Sequence, residues 1–231
     1  MNDVFRSEHK YLIPTSQRYS LSQALARIIA EDPHNQGDGY LVRSLYFDSL
    51  DNRDFQEKED GVFLRRKIRL RCYGPSSDFA ILEMKQKECS LQRKRSLRLS
   101  REDAFSLIHG NYGILLQYSQ PFAAECYAVM QCHAYRPRSI AEYRRKAFIA
   151  KENRIRITFD HHIVGTESCF DLFSPQLLQN PILHPDLTVL EVKYDGFLPS
   201  YIKDLLIDCN QSELSVSKYC LSRSVSQHYA F

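Results

Sequence analysis

The chain has 231 residues, 43% apolar and 26% charged, with a formal net charge of +3. This length can bury a substantial core, and so small a charge imposes no global field demanding a nucleic acid or a membrane as partner. No run approaches the ~20 apolar residues that span a bilayer, there is no signal-peptide pattern, and the seven cysteines include no C-x-x-C pair, so reduced thiols in a cytoplasmic protein are expected.

In chain order, residues 5–11 alternate, with Arg6, Glu8 and Lys10 on one face of a strand, and Pro14 ends it. Residues 16–30 carry Leu21, Leu25, Ile28 and Ile29 at helical spacing, which predicts an amphipathic helix covering a sheet. A polar turn at 32–39 leads to a strand over 40–47. Residues 51–59 read as a short helix or loop. The strand around 63–73 sets Lys67, Arg69 and Arg71 against Ile68, Leu70 and Cys72. After the loop at 74–78, residues 79–87 place Ile81, Glu83, Lys85 and Lys87 together. Residues 91–99 place Arg93 and Arg95 on one face and Lys94, Ser96 and Arg98 on the other. Helices are expected over 101–109 and 122–133. Strands are expected over 141–149 with Tyr143 and Arg145, over 154–160 with Arg154 and Arg156, and over 188–194 with Glu191 and Lys193. The tail reads as helix over 200–209 and 216–226. No internal repeat or linker separates domains, so a single domain over 1–231 is expected.

About eight strands result, each with one apolar and one ionic face. An open sheet would turn the ionic faces to water, whereas a closed barrel would turn them inward and leave an apolar outside for the helices. The helices need such a surface, which favours an antiparallel eight-stranded tunnel barrel of the α+β class. Cations inside a barrel imply a polyanion, because like charge alone would be costly there. Phosphate suits Arg and Lys, yet the eight glycines form neither G-x-G-x-x-G nor G-x-x-x-x-G-K-[ST], so strand side chains must hold it. At about 6.6 Å between same-face neighbours, Arg69/Arg71 and Arg93/Arg95 could each grip successive phosphates. Glu8, Glu83 and Glu191 share these faces, as ligands of a divalent cation or as ion-pair partners of Lys10, Lys85 and Lys193. His161 and His162 are neighbours on a strand, so they should point to opposite faces and not chelate as a pair. No Ser/His/Asp or Cys/His arrangement has motif support.

The motifs FRSEHKY (5–11), SLYFD (44–48), IRLRCY (68–73), LEMK (82–85), YRRKAF (143–148), RIRITFD (154–160), LEVK (190–193) and SKY (217–219) fall in an order that resembles the VTC domain. That domain is the polyphosphate polymerase domain within the triphosphate tunnel metalloenzyme, or CYTH-like, superfamily. The resemblance implies the tunnel barrel and a single VTC-type domain. It implies that Lys10, Arg69, Arg71, Lys85, Arg145, Arg156 and Lys218 grip the phosphates through catalysis. Arg6, Arg93, Arg95, Tyr143, Lys193 and Ser217 are expected against substrate, and Glu191, with Glu8 and Glu83, is expected to hold Mn²⁺ or Mg²⁺. Arg6 stands where the wider superfamily has a first Glu, which suits chain elongation better than hydrolysis. The expected activity is transfer of the γ-phosphoryl group of ATP to a growing polyphosphate chain. A metal-dependent triphosphatase and a non-catalytic polyphosphate-binding module are the alternatives. A tunnel would admit no base-paired nucleic acid.

Overall fold

The computed structural model describes residues 6–88, 91–212 and 216–223. The elements are β1 (Arg6–Pro14), α1 (Thr15–Ala26), β2 (Ala30–Glu31), β3 (Tyr40–Asp48), α2 (Arg53–Glu59), β4 (Leu64–Cys72), β5 (Phe79–Glu88) and β6 (Leu91–Ser100). They continue with α3 (Arg101–Ile108), α4 (Pro121–Cys132), β7 (Arg136–Ala150), β8 (Ile155–Thr166), β9 (Asn180–Pro181), β10 (Leu187–Asp195), α5 (Ser200–Leu206) and α6 (Lys218–Arg223). The expected strands are all present. The first helix is shorter than its periodicity predicts, because Ala30 and Glu31 pair with Ile149 and Phe148 as β2 instead. Among the described residues no helix is long and apolar enough to cross a membrane, and the six cysteines described there are free thiols.

The strands form a ten-stranded sheet of the α+β class whose main path runs β1-β10-β8-β7-β3-β4-β5-β6, with β2 and β9 off that path. The strand pairs with a register among the described residues are antiparallel. The path has ends at β1 and β6, so the closed eight-stranded barrel is not what this strand order describes. Eight strands lie on the path, as expected. The additional two are two-residue pairs that no alternation pattern could announce.

Contacts group the chain into two compact units. The first comprises Met1–Leu41, Tyr143–Ile163 and Leu183–Ser217. Its core joins Tyr11 and Ile13 of β1, Ile155, Ile157 and Phe159 of β8, and Leu190 and Val192 of β10. Leu21 and Leu25 of α1 and Ile202 and Leu206 of α5 cover that face. These are the apolar alternates of the strands, so period two settles which face is buried.

The second unit comprises Val42–Glu142, Val164–Ile182 and Lys218–Phe231. Its core joins Leu45 and Phe47 of β3, Ile68, Leu70 and Cys72 of β4, Leu82 and Met84 of β5, and Leu97 and Leu99 of β6. Leu107 of α3 and Ala123, Cys126 and Met130 of α4 pack upon it. Helix α3 starts cleanly because the Ser100 hydroxyl accepts from the Asp103 amide at 3.0 Å, with Glu102 and Asp103 in the first turn.

Candidate functional site

In the second unit, antiparallel register stacks the ionic residues in rows. Lys67 opposes Lys85, which opposes Lys94. The next row sets Tyr46, Arg69, Glu83 and Ser96 side by side, and the one after it Ser44, Arg71, Ile81 and Arg98. Directly opposed residues share a face at strand spacings of about 4.8 Å. This face therefore carries Lys67, Arg69, Arg71, Lys85 and Lys94 around one carboxylate, Glu83. Three lysines abreast are repulsive unless an anion joins them.

Glu83 accepts from Arg69 Nε at 2.6 Å, lies 3.7 Å from Arg71 and also pairs with Lys94. Burial alone would raise its pKa, but Arg69, Arg71 and Lys94 outweigh this and hold it at about 2. Lys94 is affected in the opposite sense. Burial pulls its ammonium down, Glu83 offsets part of that, and Arg69 and Arg71 add repulsion. The Glu83 shift is set by the cations around it, whereas the Lys94 shift is set first by burial.

Helix α6 docks on the same end. The Tyr219 ring lies 5.1 Å from the Tyr46 ring, its hydroxyl donates to Asp48, and Lys67 Nζ stands 5.4 Å from it. Ser222 bonds Ser139 at 2.7 Å. The helix begins at Lys218, which is half-buried. Ser217, immediately before it, is also half-buried.

The first unit is built differently. Register sets Lys10 against Glu191 and Glu191 against Thr158, and Glu8 against Lys193 and Lys193 against Arg156. Lys193 Nζ lies 2.5 Å from Glu191 and 4.0 Å from Glu8, and Lys10 lies 2.9 Å from Glu8. Burial alone would lower the Lys10 pKa, but Glu191 and Glu8 raise it. Arg145 donates twice to the fully buried Asp160, at 2.6 and 2.8 Å, and lies 3.8 Å from Glu191. Burial opposes the Arg145 charge, and Asp160 more than restores it. Tyr143, on the same face of β7, accepts from Arg145 through its hydroxyl at 3.4 Å. Arg156 is held by Asp32 at 2.8 Å and Tyr40 at 3.0 Å. The turn at 32–39 sits tight on β7: Gly39 has φ +114°, and a Cβ there would collide with the Arg145 carbonyl.

The predicted residues thus fall into two sets. Glu8, Lys10, Tyr143, Arg145, Arg156, Glu191 and Lys193 belong to the first unit, whereas Arg69, Arg71, Glu83, Lys85 and Lys218 belong to the second. Arg6 is described by its backbone alone, paired with Asp195. Arg93 and Arg95 are not brought to the Arg69 face. Arg95 pairs with Glu125 of α4, donates to Gln86 at 2.6 Å and lies over the Phe122 ring at 5.1 Å. Arg93 opposes Gln86 on that same face, the one that α4 covers. Lys94 occupies the ionic face instead. The register decides this: Glu88 opposes Leu91, which places Lys94 opposite Lys85. Asp32, Asp160 and Tyr40 were also missed, as partners that hold Arg156 and Arg145.

The opposite-face expectation for His161 and His162 is overturned as well. Their ring centroids lie 5.0 Å apart. His162 has φ +48°, a left-handed residue that breaks the alternation of β8.

Comparison with known proteins agrees with this architecture. A candidate adenylyl cyclase from Hippeastrum, described as having a dominant triphosphatase activity, superposes with a TM-score of 0.55 at 14% identity, over 95% of this chain and 96% of its own. A candidate adenylate cyclase from Bacillus halodurans does so with a TM-score of 0.53 at 12% identity, over 91% and 92%. At such identities the likeness is one of fold. No curated protein matches the chain by sequence. The sequence model of the VTC domain matches residues 5–227, nearly the whole chain, and on that match the chain belongs to the VTC-domain family.

Proposed function

We propose that this chain is a phosphoryl-transfer enzyme acting on triphosphates, and more narrowly a polyphosphate polymerase that moves the γ-phosphoryl group of ATP onto a growing polyphosphate chain in a basic tunnel. The observation that carries the reading is the row Lys67–Lys85–Lys94 beside Arg69 and Arg71, with Glu83 as the carboxylate among them. Such a face is matched by a string of phosphate oxygens, which Arg can hold with two bonds and Lys with one charge. In this reading Lys94 takes the gripping role expected of Arg93 and Arg95. The closed tunnel belongs to the proposal, as do the roles of Lys10, Arg145, Arg156 and Lys218.

The family implies a divalent cation, and the first unit has a donor set that fits one. Glu8 and Glu191 are hard oxygen ligands on paired strands, and both already draw in the Lys193 ammonium. Glu191 and Glu8 would hold Mn²⁺ or Mg²⁺, which when bound neutralises charge on the transferring group. Glu83, held by three cations, serves better to position Arg69 and Arg71. The protein's own part is electrostatic: Arg and Lys fix the reacting phosphates in line and stabilise the charge that develops. No protein nucleophile is required, since the terminal phosphate of the chain attacks.

A metal-dependent triphosphatase is the second reading, favoured by the activity described for the Hippeastrum protein. Incubating the purified chain with ATP and Mn²⁺ or Mg²⁺ and resolving the products on a gel separates the readings. A phosphate ladder supports the polymerase. Inorganic phosphate without a ladder selects the triphosphatase. Tight polyphosphate binding with no turnover, unchanged in Glu191→Gln, would leave only a binding module and overturn the enzyme.

A further inference from the structure

The first unit brings a third group of residues together. Asp38, from the turn at 32–39, and His161 and His162, from β8, each offer one ligand atom, and these atoms lie within 4.8 Å of one another. Two imidazoles and a carboxylate are a common donor set for zinc and its first-row neighbours. In a regular strand, consecutive side chains point apart. Here the left-handed His162 turns its ring back toward His161.

His161 is the second, independent observation. It is 2% exposed, its Nε2 lies 3.1 Å from the Asp38 carbonyl, and its Nδ1 has no hydrogen-bond partner. A buried ring nitrogen without a partner is costly, and a metal ion is one of the few species that satisfies a lone pair there. The tautomer agrees, for Nε2–H donating to a carbonyl leaves the lone pair on Nδ1.

Asp38 is prepared in a complementary way. Its Oδ1 accepts from Arg18 at 2.6 Å, while Oδ2 faces His161 Nε2 at 3.6 Å. Arg18 is itself buried, so the carboxylate is oriented from the inside, like an outer-shell partner of a metal ligand. The nearby Lys146 is paired with Glu31 at 3.3 Å. Asp38 and His162 are both exposed, so an ion and its water ligands can reach the site.

We propose that Asp38, His161 and His162 bind a divalent transition-metal ion, zinc foremost, which clips the turn at 32–39 to β8. The site differs in ligand chemistry from the carboxylate pair Glu8 and Glu191, which suits Mg²⁺ or Mn²⁺. Because that turn also carries Asp32, the partner of Arg156, the clip would steady one phosphate-gripping side chain.

The test uses the full, untagged chain, stripped with a chelator and titrated with Co²⁺, whose visible d–d absorption reports coordination, followed by competition with Zn²⁺. One tightly held Co²⁺ that carries the visible band and is displaced by Zn²⁺, distinct from any Co²⁺ at Glu8 and Glu191, and a rise in melting temperature with Zn²⁺ are expected. His162→Ala is the main variant because that side chain is exposed and its loss leaves the fold intact. Its affinity should fall beyond the roughly 10–100-fold that loss of an outer-shell partner costs. His161→Gln should behave alike where it folds. Glu191→Gln should keep the Co²⁺ spectrum unchanged, which separates this site from the proposed catalytic cation. Absence of a d–d band at millimolar Co²⁺, a band that persists in His162→Ala, or one lost in Glu191→Gln would each overturn the proposal.

Discussion

Replacing Glu83 by Gln isolates the charge balance of the cationic face. The side chain is 4% exposed, and Gln keeps its volume while removing the negative charge shared by Arg69, Arg71 and Lys94. The carboxyl is held at about 2 against an ordinary 4.5. A shift of that size corresponds to roughly 3 kcal/mol between charged and neutral forms. The depressed pKa means that this stabilisation is present above pH 4.5 and is lost as pH falls through about 2. Lys94, whose ammonium the cluster disfavours, offsets part of it, so 3 kcal/mol is an upper bound. Same-face cations about 6.6 Å apart repel by on the order of 2–3 kcal/mol at an effective dielectric of 20, so the variant should feel its unneutralised neighbours. For a chain of this length the expected fall in melting temperature is up to roughly 6–12 °C at neutral pH. Tripolyphosphate supplies the missing negative charge, so it should raise the melting temperature of Glu83→Gln more than that of the wild type. Thermal melts of both proteins at pH 7, with and without tripolyphosphate, measure this directly. A variant as stable as the wild type, or a smaller ligand response in the variant, would refute the account of this face.

Asp54 is buried beside Asp48, and burial followed by that neighbour pushes its pKa up to about 7. The fold therefore favours it protonated, and stability is lost as pH rises from its ordinary 3.8 through about 7. Asp54→Asn should flatten the fall of the melting temperature between about pH 4 and 7, read by calorimetry across that range. Leu70→Ala, at a fully buried position, should cost ~2–5 kcal/mol in denaturant unfolding with the phosphate-gripping residues intact. Arg71→Ala should do the reverse, leaving Glu83 with Arg69 and Lys94, keeping stability near wild type and reducing turnover by roughly 10²-fold or more. Lys218→Ala should abolish turnover while tripolyphosphate still binds, measured by calorimetric titration. Full activity would remove Lys218 from the proposed catalytic set.

The amino-acid sequence by itself determined the strands, their buried faces and the family. Alternation of period two is a local property, so Ile68, Leu70 and Cys72 could be assigned to the core and Arg69 and Arg71 away from it without any partner strand. The ordered motifs from 5–11 to 217–219 carried the VTC resemblance, which the match over residues 5–227 bears out. Tertiary structure alone decided which ionic residues meet. Alternation says that Arg93 and Arg95 share a face but not which face of β5 they accompany. That depends on register, which places Lys94 beside Lys85 and sends Arg95 to Glu125. Likewise, no pattern links Arg145 to Asp160 or Arg156 to Asp32, since these pairs depend on strands and turns brought together by folding. The strand path ending at β1 and β6 could not be read either, because closure depends on hydrogen bonds between distant segments rather than on the faces of each strand. His161 and His162 mark the limit of pattern reading: one residue at positive φ reverses a side chain, and the two rings that a regular strand would separate come to lie 5.0 Å apart.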